Sequence, residues 1–441
     1  MATKINGKIN SLISRDSKVM IKTTREHYRF VPSHGDGDFA YDIAGNKFID
    51  FSSFIGVYTL GVNGNRQIRD AVKKQVDRLM HPAFTDFYVQ EPVEFTEKLL
   101  TMFPKGFGRV FYSNSGTEAN EAAIKFAKLF TKRPYVLAFY NAFHGRTLGS
   151  LGLTASKAIQ KEHFGPFNGV VHAHFPNPYR CGLNHDENHD CASACIDYIK
   201  KTIFAKEVPA KEFAAIFIEP VQGEGGYIVP PKGFFKQLRE LADEHGILLV
   251  SDEVQAGYMR TGKFLALDNF GVEADIYTMA KALGGGLPIG ATITRHSLGD
   301  IPAGAHANTF GGNLASIAAA NASLDYVKKN LKSLQNGVKS KGSYVMNRLE
   351  EMKEKYAIIG DVRGIGLMIG VELIRDMRTK EPAIAERGKI IEECFMNGLL
   401  LLPAGISTIR IIPPITISQQ NLEKGMDILE AAIKKINKEQ L

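Results

Sequence analysis

Through the middle of the chain, short unbroken apolar runs alternate with longer segments whose apolar residues recur every three or four positions. "PYVLAFY" (134–140), "AAIFIE" (214–219), "GILLVSD" (246–252) and "DIYTMA" (275–280) have the length and content of buried strands. Between the second and third, "GFFKQLRELADEHG" places its apolar residues at helical spacing, with Gly246 as its stop. This alternation predicts an α/β fold around a mostly parallel sheet. From about residue 330 the pattern changes to a charged amphipathic helix, then strands such as "GLMIGVEL" and "STIRIIPPITIS", then a helix near "GMDILEAAIKKI". That reads as a smaller α+β unit. The expected division is an N-terminal segment over 1–60 contributing to the small domain, a large domain over 61–325, and a C-terminal small domain over 326–441. No internal repeat or low-complexity segment interrupts it.

The predicted strand ends carry the chemistry. In open α/β sheets, ligands bind outside the carboxyl ends of the strands. After 134–140 comes "NAFHGRT"; Glu219 ends 214–219, with "PVQGEGG" after it; Asp252 ends 246–252; Lys281 follows 275–280. Lys281 is the lone charge in "IYTMAKALGGGLPIGA". A lysine at a strand end ordinarily snorkels to water. The other reading is a desolvated amine that acts as a nucleophile near neutral pH. An aromatic, a histidine, an arginine, two carboxylates and a lysine delivered to one rim favour the chemical reading.

"SNSGTEANEAAIKFAK" (113–128) begins a helix: Ser115 and Glu118 fit a capping box, and Ala119, Ala122, Ala123, Phe126 and Ala127 form an apolar face. Gly116 and Thr117 fall in its first turn, where free N–H groups make an anion site. A phosphate site, a nucleophilic lysine and a carboxylate at a neighbouring strand end are the parts pyridoxal 5'-phosphate needs. The lysine links to it, the carboxylate keeps its ring nitrogen protonated, and an aromatic can stack on its face.

The ordered blocks "SNSGTEANEAAIKFA", "FHGRT", "EPVQGEGG", "SDEVQAGYMRTGKF", "AKALGGGLPIGA" and "NTFGGN" make the chain resemble the class III (ω-amino acid) aminotransferases, which are fold-type-I pyridoxal phosphate enzymes. The resemblance runs from "YDIAGNKFIDF" to "IRIIPPITIS". It implies a large domain with a mostly parallel sheet plus a smaller α+β domain. It assigns Lys281 as the Schiff-base lysine and proton carrier, Asp252 to the ring nitrogen, and Gln255 to the ring hydroxyl. Ser115, Gly116 and Thr117 would hold the phosphate, and Phe143 would stack on the ring with His144 beside it. Thr309 would reach the phosphate of a neighbouring subunit, which implies a homodimer with active sites at the interface.

The same resemblance makes Arg146 and Arg410 carboxylate binders, Glu224 a switch that neutralises Arg410 and then swings away, and Glu219 a pocket residue near Arg146. The small-molecule partners are then an amino donor and a 2-oxo acid acceptor, with 4-aminobutyrate and 2-oxoglutarate as the first expectation. Ornithine and acetylornithine aminotransferases use a similar set. Amino-acid racemases of the family look very like this chain, including at "GDVRGIGLMIGVE" and "IRIIPP". Racemisation needs only that the proton return to Cα from the other face. A catalytically inert ligand sensor on this fold would lack the lysine or carry an added DNA-binding domain, and neither is expected here.

Composition narrows this little further. The chain has 441 residues, 44% hydrophobic and 23% charged, as in ordinary globular proteins. A net charge of +7 and a pI near 9.0 could suggest nucleic acid, but the lysines are interleaved with acids and no nucleic-acid-binding motif occurs. No run is long enough to span a bilayer. The N-terminus has no signal-peptide core and there are only four cysteines, so a reducing, cytoplasmic setting is expected.

Three local features remain. "LGVNGNRQI" (60–68) replaces a histidine-rich block of many relatives and puts substrate size in question. "GGGLPIG" has no acidic ribose partner at the spacing a dinucleotide loop requires. Cys181, His185, His189, Cys191 and Cys195 mix zinc-ligand types, but their spacing matches no standard finger, and surface thiols with no metal are the expectation.

Overall fold

The computed structural model describes residues 7–23, 29–183 and 190–440. Its centre is a seven-stranded sheet in the order Phe107–Ser113, Gly290–Arg295, Ile276–Met279, Leu248–Asp252, Phe213–Ile218, Tyr135–Phe139, Val170–Ala173. Only Gly290–Arg295 runs antiparallel to its neighbours. The other six point the same way, so their carboxyl ends share one edge. All four predicted strands are present, with ends displaced by one or two residues. Phe213–Ile218 shows why its pattern reads as a continuous apolar run: every residue is buried, because helices cover both faces of the sheet.

The Phe234–His245 helix stops where expected. Gly246 takes φ 61°, and its N–H closes on the carbonyls of Ala242 and Asp243, a left-handed cap that glycine adopts without steric cost. In the C-terminal part, the Leu331–Lys355 and Gln419–Gln440 helices accompany a four-stranded antiparallel sheet ordered Ile359–Ile365, Met368–Leu373, Thr408–Ile411, Leu402–Ala404. Within "STIRIIPPITIS" the strand ends at Ile411, ahead of Pro413 and Pro414, which cannot donate to a ladder. A third sheet joins distant ends of the chain: Lys47–Asp50 pairs in parallel with Leu399–Leu400.

The two largest apolar clusters among the described residues lie about the central sheet and about Leu349, Ile369, Val371 and Leu429. Arg260 lies between them, fully buried. Its guanidinium donates to the carbonyls of Leu367 and Pro413 and to the hydroxyls of Ser53 and Thr59. Burial lowers its pKa to about 10, against the raising effects of Tyr227 and Asp50. No described helix is long and apolar enough to cross a membrane.

Candidate active site

Five strands that point the same way end at one rim, and the residues just past them line a cavity of about 450 Å³. Ser115, Gly116, Thr117, Phe143, His144, Arg146, Glu219, Asp252, Gln255 and Lys281 all line it. Thr309 does not; it is exposed on its own chain. Arg410 and Glu224 lie outside the lining but within electrostatic reach of Lys281.

The Gly116–Thr131 helix begins at this cavity. Ser115 Oγ accepts from Glu118 N at 3.3 Å, and the Glu118 carboxylate reaches back to Asn114 N at 2.6 Å. The capping box thus closes one residue earlier than its usual form. No hydrogen bond within the described residues uses the Gly116 and Thr117 N–H groups, so the positive helix end presents two donors. Glycine at 116 is a steric requirement: a Cβ there would sit 2.9 Å from Val254 Cγ1. The Thr117 hydroxyl is already engaged, 2.5 Å from Ser150 Oγ and 2.8 Å from Thr147 Oγ1.

Asp252 is nearly buried and held from three sides. Val254 N donates to its Oδ1 at 3.0 Å; Asn120 Nδ2 and His144 Nδ1 each meet Oδ2 at 2.8 Å. Since a carboxylate only accepts, His144 Nδ1 carries the proton in this bond. Burial works to lower the His144 pKa, but the hydrogen bond and charge of Asp252, with the charge of Glu219, outweigh it and raise it. His144 therefore stands behind Asp252 and orients it. Asn120 went unrecognised in the sequence, although it is the polar residue inside the Ala119–Ala122–Ala123 face. Its Nδ2 also donates to the His144 carbonyl at 2.7 Å, and its Oδ1 accepts from Thr278 Oγ1 at 2.8 Å.

Lys281 has φ 45°, in the left-handed region where a side-chain-bearing residue is strained. Burial lowers its pKa, against the raising charge of Asp252, which favours the neutral nucleophilic amine. Glu219 is buried, and burial drives its pKa up to about 7 although it accepts from Phe143 N and Gly223 N, both at 3.0 Å. It makes no ion pair with Arg146, whose exposed guanidinium lies 5.4 Å from the Phe143 ring centre. Gln255 Oε1 accepts from Tyr227 OH at 2.8 Å.

Glu224 bonds Arg410 at 2.6 Å and Lys157 at 2.5 Å. Burial would raise its pKa, but those two cations hold it below the ordinary value. Lys157 and Tyr227 are partners that no motif pointed to.

In the cysteine segment, Cys181 Sγ and Cys191 Sγ are 2.9 Å apart, and Cys195 lies one helical turn beyond Cys191. His185 and His189 lie outside the described residues. Among the described residues no cluster of three or more histidine, cysteine or acidic side chains could hold a metal ion.

A helix N-terminus with free donors, a desolvated lysine and an oriented buried carboxylate are together suited to a phosphorylated cofactor that accepts electrons. Residues 20–433 match the model of the family "Aminotransferase class-III", and the chain belongs to that family. The protein is accordingly a pyridoxal 5'-phosphate-dependent enzyme. The chain is 39% identical to the leucine/methionine racemase of Thermococcus litoralis, covering 96% of this chain and 95% of that one. It is 36% identical to the alanine/serine racemase of Pyrococcus horikoshii, covering 96% and 90%. With the probable 4-aminobutyrate aminotransferase of Bacillus subtilis it shares 36% identity, over 91% and 92%. Its fold matches the taurine:2-oxoglutarate aminotransferase of Bifidobacterium kashiwanohense, solved with PLP and glutamate, at TM-score 0.91 and 26% identity over 100% of both chains.

Proposed function

We propose that this protein is an amino-acid racemase or epimerase acting on neutral amino acids. The observation that carries the reading is the 39% identity to a leucine/methionine racemase along nearly the full length of both chains. The cavity supports it: Val57, Val254, Ala280, Leu287, Pro288 and Ile289 supply an apolar wall suited to an uncharged side chain. The first expectation, 4-aminobutyrate, needs Arg146 as a distal carboxylate clamp. That guanidinium lines the cavity but is exposed, lies against Phe143 and makes no ion pair with Glu219.

Bound at this site, pyridoxal 5'-phosphate supplies an electron sink for the negative charge formed at a substrate Cα. The Gly116 and Thr117 N–H groups would hold its phosphate, and Phe143 would lie against its ring. Asp252, oriented by His144 and Asn120, sets a fixed negative charge against the ring nitrogen. Lys281, with its lowered pKa, takes a proton from Cα and can return one. Inversion needs a second proton donor on the face of Cα away from Lys281, and it leaves the amine in place. Arg410 receives the substrate α-carboxylate.

Thr309 belongs to the neighbouring protomer's site in this reading, in a homodimer. Exposed Leu79, Met80, Phe87, Tyr88 and Phe310, the last tilted against His81, supply an apolar surface for that contact. A second reading, ω-amine transfer to 2-oxoglutarate, has the 36% identity to the 4-aminobutyrate enzyme behind it.

Chiral amino-acid analysis of the holoenzyme tests both. One incubation holds L-leucine, L-methionine or L-alanine with no oxo acid; the other holds 4-aminobutyrate with 2-oxoglutarate. Sustained D-enantiomer in the first is the expected result. Glutamate in the second, with no D-enantiomer in the first, would replace the racemase reading with the aminotransferase one.

A further inference from the structure

Glu224 is a carboxylate divided between two cations. Its Oε2 accepts from Arg410 Nη2 at 2.6 Å and its Oε1 from Lys157 Nζ at 2.5 Å. Two cations and one anion leave the trio with a surplus positive charge. Arg410, with a side chain only 6% exposed, has one guanidinium nitrogen, Nη1, buried without a hydrogen-bond partner among the described residues. Its Nε and Nη2 also donate to the Pro403 carbonyl, which fixes the plane of the group. A fixed, buried guanidinium with one open donor beside a surplus charge is suited to one further anion.

Fork-to-fork capture of a carboxylate uses both terminal nitrogens of the guanidinium. Glu224 already holds Nη2. Were Glu224 to let go with nothing to receive it, a largely buried carboxylate would lose its charge partner, a costly outcome. Lys157 changes this. It bonds the other carboxylate oxygen, so Glu224 can release Arg410 and remain paired.

We propose that Lys157 is a positioning residue that holds Glu224 while Arg410 exchanges it for the carboxylate of an amino-acid or oxo-acid substrate. The proposal rests on the reading of Arg410 as the carboxylate binder. It applies to racemisation and to the oxo-acid half of amine transfer, because an amino acid and a 2-oxo acid each carry an α-carboxylate. A lysine that merely clamped Glu224 against Arg410 would act in the opposite sense and hinder capture.

The test is calorimetric binding to the holoenzyme of two unreactive carboxylates, glutarate and 4-methylpentanoate, with the tighter one carried through the variants. Lys157→Met is expected to raise Kd about five- to tenfold, the scale of one partly exposed ion pair, and Lys157→Arg to stay within about twofold. In a Glu224→Gln background there is no charged carboxylate to hold, so adding Lys157→Met should leave Kd unchanged. An undiminished or tighter affinity in Lys157→Met overturns the proposal. So does an equal loss in the Glu224→Gln background, which would make Lys157 a plain electrostatic attractor. Arg410→Gln separates the two layers. If it binds the probe as wild type does, or if wild type binds neither probe, the carboxylate role of Arg410 falls and the Lys157 proposal with it.

Discussion

Replacing Asn120 by alanine removes three buried hydrogen bonds at once, and the structure allows the loss to be sized. Asn120 donates to the His144 carbonyl at 2.7 Å and to Asp252 Oδ2 at 2.8 Å, and accepts from Thr278 Oγ1 at 2.8 Å. A neutral buried bond contributes about 1 kcal/mol, and one to a charged carboxylate about 1.5–3 kcal/mol. The sum is roughly 3–5 kcal/mol. Alanine returns up to about 0.7 kcal/mol through better helix propensity, so the net destabilisation is about 3–4 kcal/mol. Thr278→Val severs only one of the three bonds and leaves the Asn120 oxygen unpaired, for a loss of about 1–2 kcal/mol. Denaturant unfolding of both variants, without and with cofactor, measures the ratio. Turnover should also fall in Asn120→Ala, since Asp252 keeps only His144 on Oδ2. If Asn120→Ala costs no more than Thr278→Val and turns over normally, the claim that this network positions Asp252 is wrong.

Two further outcomes follow from single residues. Lys281→Ala should abolish turnover and remove the visible absorbance of the lysine-linked cofactor; an undiminished rate would remove Lys281 from the chemistry. Glu253 is buried, and burial raises its pKa from 4.5 to about 7 although Ala266 N, Leu267 N and Ser251 Oγ all donate to it. With the folded pKa above the unfolded one, its contribution is fully present below about pH 4.5 and is lost as pH rises through about 7. Glu253→Gln should therefore flatten the decline in unfolding free energy across that window, and an unchanged slope in a urea titration at several pH values would refute the assignment.

Much of the site was legible because its chemistry sits at strand ends. A run of buried strands that all point one way must bring its carboxyl-end residues to one edge. "AAIFIE", "GILLVSD" and "DIYTMA" therefore announced Glu219, Asp252 and Lys281 together, without any contact being known. The Ser115–Glu118 spacing fixed the helix start, and with it the two free donors at Gly116 and Thr117. What stayed hidden lies where distant segments meet with no periodic signal. The two strands of the sheet's antiparallel edge, Phe107–Ser113 and Gly290–Arg295, were not singled out, because pairing partners far apart in sequence leave no mark on either strand.

The sequence by itself determined the α/β alternation, the helix start at Gly116, the lysine and carboxylate at neighbouring strand ends, and the family. Local periodicity and short motifs are properties of neighbouring residues. Tertiary structure alone decided that His144 backs Asp252, that Asn120 ties the phosphate-side helix to the Thr278 strand, and that Glu224 is shared between Arg410 and Lys157. Those pairs are separated by 67 to 186 residues along the chain. Only burial in a common low-dielectric rim makes their hydrogen bonds and charges strong enough to set which group holds the proton.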